Sequence, residues 1–235
     1  MSVNLLYKHE WPINDKIKVV IPTVGDILKD EDSYYSLVSM FTASPYDMML
    51  ILDEAGYDFR SLNSFDLFII LFGSLREFDT SLILGDLDLK KFKLSKNDTN
   101  DQVVLRDQEN DITIDRAVYE KISLCLRTIH GLEKNNRKVQ DDETKKYLLE
   151  RARKKRGRKK SNNSSQLEAL IVAMVNTEQF KYGYESVLGL TIFQFNESVR
   201  QIIKKVDYDN RMFGIYSGTI SAKDIKKDEL NWLIH

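Results

Sequence analysis

Two pairs of carboxylates, Asp86 with Asp88 and Asp207 with Asp209, stand two residues apart. On an extended strand such side chains share a face and could together hold a divalent cation. Neither pair is followed by the glycine and distant glutamate of a calcium loop, and a solvated strand face or loop is the commoner meaning of this spacing. The three histidines, His9, His130 and His235, are far apart in the sequence, whereas a helical zinc site wants two ligands at i and i+4. His130 reads as a helix-end residue favoured by the helix dipole. The single cysteine, Cys125, continues the apolar series Val118, Ile122 and Ile129, so it reads as core packing. A nucleophilic thiolate would need a cationic, accessible setting. One cysteine also excludes an internal disulfide and suits a reducing compartment. The sequence has no glycine-rich phosphate cradle and no serine in a nucleophile elbow. We therefore expect no catalytic residue, no metal or other cofactor, no small-molecule substrate and no enzymatic activity.

Charge offers a different chemistry. The whole chain carries a formal net charge of −1. Yet Arg151, Arg153, Lys154, Lys155, Arg156, Arg158, Lys159 and Lys160 place eight cations and no acid within ten residues, leaving an acidic remainder. Such a run could neutralise nucleic-acid phosphates with steep salt dependence. Downstream, Gly183 and Gly189 separate two helical stretches in a loose likeness of a helix-turn-helix. Its reading face would offer Thr191, Gln194, Asn196 and Arg200. The gap is longer than the usual three- or four-residue turn, and Phe193 and Phe195 look like packing residues. A solvated connector that clings to an acidic partner is the blander meaning of the basic run.

The elements that position these groups are mostly helical. From Ser33 to Leu94 the pattern predicts three short helices. Tyr34, Leu37, Val38 and Phe41 recur at i, i+3, i+4 and i+7, as do Met48, Ile51, Leu52 and Ala55. Phe65, Phe68, Ile69 and Phe72 repeat the spacing while Leu67, Ile70, Leu71 and Leu75 fill the opposite face, so this third helix must be covered on all sides. Ser44-Pro45 is expected to open the second helix, Gly56 to end it and Ser64 to cap the third. A strand is expected over 16–21, closed by Pro22. An extended segment should follow Gly85, then a hairpin of Val103–Leu105 and Ile112–Ile114 turning at Asn110. Asp115 should cap a long helix whose seam runs through Val118, Ile122, Cys125, Ile129 and Leu132. Another helix should start near Asp141 and pass into the basic run, with 161–164 as a loop. Ser165 and Thr191 each open a capping-box pattern, the second before Phe195, Val199, Ile202 and Val206. The expected class is mainly α with a small β element. Residues 1–132 would form a helical domain with strand and hairpin, 133–164 a polar and basic linker or helix, and 165–235 a helical domain. No run approaches the length of a membrane span, and the start lacks a secretion signal.

With these elements placed, the chain resembles the phage assembly proteins of tail gene clusters in phages infecting Gram-positive bacteria. The stretches that carry the likeness are IPTVGDIL, ASPYDMMLILDEAGYDF, the D-L-F-x-x-L-F-x-x-L-R pattern of Asp66 to Arg76, the segment from Thr177 to Thr219 (TEQFKYGYESVLGL and onward), and the closing LNWL. Over about the first 95 residues it is also similar to the baseplate hub assembly proteins of T-even-like contractile-tailed phages, and the tail assembly chaperones fit as well. The resemblance implies an assembly factor or minor tail component that binds other tail or baseplate proteins, in the host cytoplasm or in the virion tail. A partner would need apolar or aromatic surface to cover. The residues expected to supply it are Phe65, Phe68, Phe72, Arg76, Phe193, Phe195, Phe213, Tyr216 and Trp232, with Tyr208 in the same aromatic cluster. Arg76 is also expected to tie down a carboxylate or a helix-end carbonyl.

Overall fold

The computed structural model describes residues 4–97, 101–137, 139, 141–158 (158 by its backbone), 165–221, 223, 225, 226 and 230–233. Within them the pattern of apolar spacing has become ten α-helices and two small antiparallel sheets, so the class is mainly α with a small β element. A short ribbon pairs β1 (Glu10–Pro12) with β2 (Lys18–Val20), Trp11 opposite Val19. The strand is shorter than the sequence suggests, but Ile17, Val19 and Ile21 do point into the core. Helix α1 (Val24–Ile27) follows, capped by the Thr23 hydroxyl, and then α2 (Glu31–Thr42), whose buried residues are Tyr34, Leu37, Val38 and Phe41.

Helix α3 (Met49–Glu54) begins a turn later than expected. The Asp47 carboxylate accepts from both the N–H and the hydroxyl of Ser44, each at 2.8 Å, which closes a turn ahead of the helix. Helix α4 (Ser64–Leu75) is capped by Asn63 and not by Ser64. The Asn63 side chain accepts from the N–H groups of Phe65 and Asp66, and Asp66 accepts in return from the Asn63 N–H at 2.8 Å. After α5 (Ser81–Leu84), Gly85 adopts φ of 61°. The segment beyond it is a 3₁₀ turn, Leu89–Lys91, before it extends.

A three-stranded sheet then runs in the order β3 (Lys93–Lys96), β4 (Val103–Asp107), β5 (Ile112–Ile114), antiparallel throughout. Its last turn is built by Asp107, whose carboxylate accepts from the N–H groups of Glu109 and Asn110 and from the Asn110 amide. Asp111, with φ of 49°, takes the left-handed position that the sequence had suggested for Asn110. Asp115 caps α6 (Arg116–His130) through the Val118 N–H at 2.8 Å, and Gly131 ends it at φ of 62°. The buried seam of α6 is Tyr119, Ile122, Ser123, Cys125, Leu126 and Ile129. It keeps the predicted Ile122, Cys125 and Ile129; Val118 is half-buried against the core beside the fully buried Tyr119, and Leu132 lies beyond the helix end and is exposed.

Helix α7 (Asp142–Arg158) contains most of the basic run. Ser165 caps α8 (Gln166–Val175), a short α9 (Tyr184–Leu188) follows, and α10 (Ile192–Tyr216) starts from the reciprocal Thr191–Gln194 capping box. The turn expected at 161–164 and Lys159 and Lys160 lie outside the described residues, as does the Arg158 side chain.

Helix α4 is covered on two sides, as its all-round apolarity requires. Phe65, Phe68, Phe72 and Leu75 enter the larger buried cluster, while Leu67 and Ile70 enter a second one with Ala43, Leu52, Phe59 and Leu149. The larger cluster takes buried residues from Leu5 to Val199. Backbone bonds fasten its two ends together: Val24 N–H to the Leu190 carbonyl at 2.8 Å and Ile192 N–H to the Pro22 carbonyl at 2.9 Å. The Glu31 carboxylate, in the first turn of α2, also accepts from the Ser165 hydroxyl and from the N–H groups of Gln166 and Leu167, so it caps α8 from outside.

Candidate interaction surfaces

Half of the aromatic set expected to meet a partner is inside the chain. Phe65, Phe68 and Phe72 are buried, Phe68 stacking on Tyr119 with centroids 4.7 Å apart. Phe195 is fully buried and Phe193 half-buried. The four buried rings offer a partner no face in this conformation and Phe193 only part of one, because the helical spacing that marks an apolar face cannot say whether the same chain covers it. Arg76 also works internally: its guanidinium donates to the Lys90 carbonyl at 3.0 Å and lies 5.6 Å from the Phe72 ring centre. It ties a 3₁₀ turn to α4, through a carbonyl and not a carboxylate.

The exposed members gather at the far end of α10. Ile192, Phe195 and Val199 are buried near its start, but from its middle onward Ile203 is 61% exposed, Phe213 75% and Tyr216 81%. Val206, expected on the inner face, is also exposed. Ile203, Val206, Phe213 and Tyr216 fall within one side of the helix over about 20 Å. The segment after α10 folds back on part of it. Trp232 and Leu233 accept through their carbonyls from Gln201 at 2.7 Å and Lys204 at 2.9 Å. Lys205 lies over the rings of Tyr208 and Trp232. Ile220 sits on Gly214, where an added Cβ would come 2.6 Å from its Cδ1. Trp232 remains 40% exposed beside this face.

The helix-turn-helix reading fails on side-chain direction. Thr191 is buried as the cap, Gln194 is held by the Thr191 N–H and donates to the Leu6 carbonyl at 2.7 Å, and Asn196 donates to the Ile129 carbonyl. Arg200 pairs with Glu197 at 3.1 Å. Thr191, Gln194 and Asn196 thus hold the helix in place, while Arg200 stays exposed and pairs within its own helix.

The carboxylate pairs are likewise spent. Asp207 and Asp209 lie on a helix, where a two-residue spacing turns side chains apart, and they pair with Arg211 at 2.7 Å and Lys205 at 2.5 Å. Asp88 caps the 3₁₀ turn through the Lys90 N–H at 2.9 Å. It lines, with Asp86, a basin of about 680 Å³ that also holds Lys8, Lys16, Lys18 and Lys91. Among the described residues no group of three or more His, Cys, Asp or Glu is placed to hold a metal ion. Cys125 is fully buried, which pushes its thiol well above the ordinary range. His130 is not a dipole-favoured cation: burial brings its pKa down to about 4, and the neutral ring meets the Tyr34 hydroxyl at 2.9 Å.

The basic run is divided. Toward the body, Leu149 is buried in the second cluster, Arg153 pairs with Asp53 at 2.7 Å and Arg156 with Glu54 at 2.5 Å. At the start of α7, Asp142 pairs with Arg60 at 2.8 Å and Lys145 with Asp58 at 3.3 Å. The Arg60 guanidinium, followed by the Arg60 N–H and Lys145, holds the Asp58 carboxyl well below the usual carboxylate range. Arg151, Lys154 and Lys155 are exposed and make no ion pair among the described residues. The sequence shows the run; only docking reveals which cations it leaves over.

Residues 158–235 match the family model described as YomV second domain, a phage-derived family of the Bacillus SPbeta-like prophage type. No curated protein and no solved structure matches the chain. Over its last third the chain is therefore similar to a phage family, and that similarity points to a phage protein. No helix of the described residues is long and apolar enough to cross a membrane.

Proposed function

We propose that the chain is a phage tail or baseplate assembly factor, a chaperone or minor tail component, that acts by binding other tail proteins in the host cytoplasm or on the tail itself. The observation that carries this reading is α10 from its middle to its end, where Ile203, Val206, Phe213 and Tyr216 stand in solvent along one side. Large apolar side chains gathered on one side of an exposed helix, here with Asp209 and Asn210 between Val206 and Phe213, suit a surface that another protein covers. It falls inside the region similar to a phage-derived family, and the likeness of IPTVGDIL and of Asp66 to Arg76 to tail-cluster assembly proteins supplies the kind of partner. Aromatic side chains suit the centre of such an interface.

The test is co-purification of the full chain with the tape-measure, hub and tube subunits of the same phage. The expected result is retention of one of them, lost in a Phe213→Ser/Tyr216→Ser double variant that keeps its helical signal. A chain that stays a clean monomer and ignores all tail proteins would overturn the assignment. Comparing purified virions with infected-cell lysate by mass spectrometry separates a minor tail component from a chaperone that leaves.

A further inference from the structure

We propose that the outward side of α7 is a binding strip for the phosphodiester backbone of nucleic acid. Helix α7 has two faces that use their charges differently. Leu149, Arg153 and Arg156 lie on the side seated on α3 and the second buried cluster, and their two guanidinium groups are matched by Asp53 and Glu54. Half a turn round the helix, Tyr147, Arg151 and Lys154 follow one another at i, i+4 and i+7, with Lys155 beside them. All four are exposed, Tyr147 by 61%, and the three cations have no ionic partner among the described residues. The acid within this stretch, Glu150, stands at i−4 to Lys154 and borders the strip on one edge without an ion pair to it among the described residues, leaving a net excess of cations.

The outward strip is led by charge, with one half-buried aliphatic, Leu148, on its margin beside Lys155, and that balance separates the two macromolecular partners that a cationic line could meet. Protein interfaces deplete lysine and draw affinity from buried apolar area, which Arg151, Lys154 and Lys155 do not offer. Binding to phosphates needs none, because released counterions drive it. The Tyr147 ring at one end adds a flat surface on which an unpaired base can stack. The recognition is of backbone and not of sequence.

Three neutralised phosphates contribute a salt slope of about −2.7 on a duplex and about −2.1 on a single strand, so this part of the affinity should fall about 40-fold and about 20-fold respectively between about 50 and 200 mM salt. The experiment is fluorescence anisotropy of the full chain with a labelled single-stranded oligonucleotide and with a duplex of the same sequence, across that salt range. We expect binding whose slope shrinks by about 2.7 on the duplex and about 2.1 on the single strand in Arg151→Ala/Lys154→Ala/Lys155→Ala, and persists in Arg151→Lys/Lys154→Arg/Lys155→Arg. Tyr147→Ala should weaken the single strand more than the duplex. Circular dichroism serves as the folding control, since all four positions are exposed. No binding at low salt, or equal losses in the triple variant and in Arg153→Ala/Arg156→Ala, would overturn the proposal. So would tighter capture of polyglutamate than of either oligonucleotide, which would assign the strip to an acidic protein segment. Because α10 takes no part, loss of tail-protein binding in Phe213→Ser/Tyr216→Ser leaves these measurements unchanged.

Discussion

Lowering the pH from about 6.5 to about 4.5 should weaken this fold through one imidazole. His130 closes α6 with its ring among Tyr34 and Tyr35, and burial brings its pKa from 6.5 down to about 4. Its neutral form is the one the fold accommodates, so the unfolded chain binds the proton more readily over that window. Stability contributed by neutral His130 is complete above the unfolded pKa, falls as the pH drops through the interval, and stops changing below the folded pKa. A difference of 2.5 units is about 3 kcal/mol in full, of which about 2 kcal/mol is lost between pH 6.5 and 4.5. Carboxylates held low by partners, such as Asp26 and Asp58, add their own loss at the acid end. The His130 share must therefore be read by difference. Gln at position 130 keeps an acceptor for the Tyr34 hydroxyl but does not titrate. Urea unfolding of the native chain and His130→Gln at a series of pH values isolates the effect. The midpoint of the native chain should drop more steeply by the equivalent of about 2 kcal/mol, with the two curves parallel above about pH 7. Parallel curves over the whole range would refute the burial argument.

Phe68→Ala should cost about 3–5 kcal/mol and Leu149→Ala about 2–4 kcal/mol by denaturant unfolding, the second loosening α7 with hydrogen exchange as the readout. Phe213→Ser/Tyr216→Ser, at exposed positions, should change stability by no more than about 0.5 kcal/mol in the same assay. Asp115→Ala removes the cap of α6 and should cost about 1 kcal/mol, read from the midpoint shift.

Much of the architecture is legible in residue spacing. The faces of α2 and α4, the hairpin of β4 and β5, and the caps Asp115, Ser165 and Thr191 all follow from local chemistry that the chain carries within a few residues. Errors arise where a neighbouring side chain competes for a local role: Asp47 delays α3, and Asn63 takes the cap that Ser64 could have held. The surfaces were harder to read. Phe65 and Phe213 are the same residue type in helices with apolar faces, yet one is enclosed and the other is bare, because enclosure depends on which distant segment arrives. The division of the basic run has the same origin. Asp53 and Glu54 lie about 100 residues before their arginines, and no local pattern announces that meeting.

Helix α4 forms a party wall between two apolar compartments, with Phe68 on one side, Leu67 on the other and Leu71 touching both. A rigid rod in that position transmits a disturbance from either room to the next, since it cannot rotate to refill a hollow on one side without unseating the other. Hollowing both sides at once, with Leu67→Ala and Phe68→Ala in the same chain, should therefore depart from the sum of the single costs by more than about 0.5 kcal/mol.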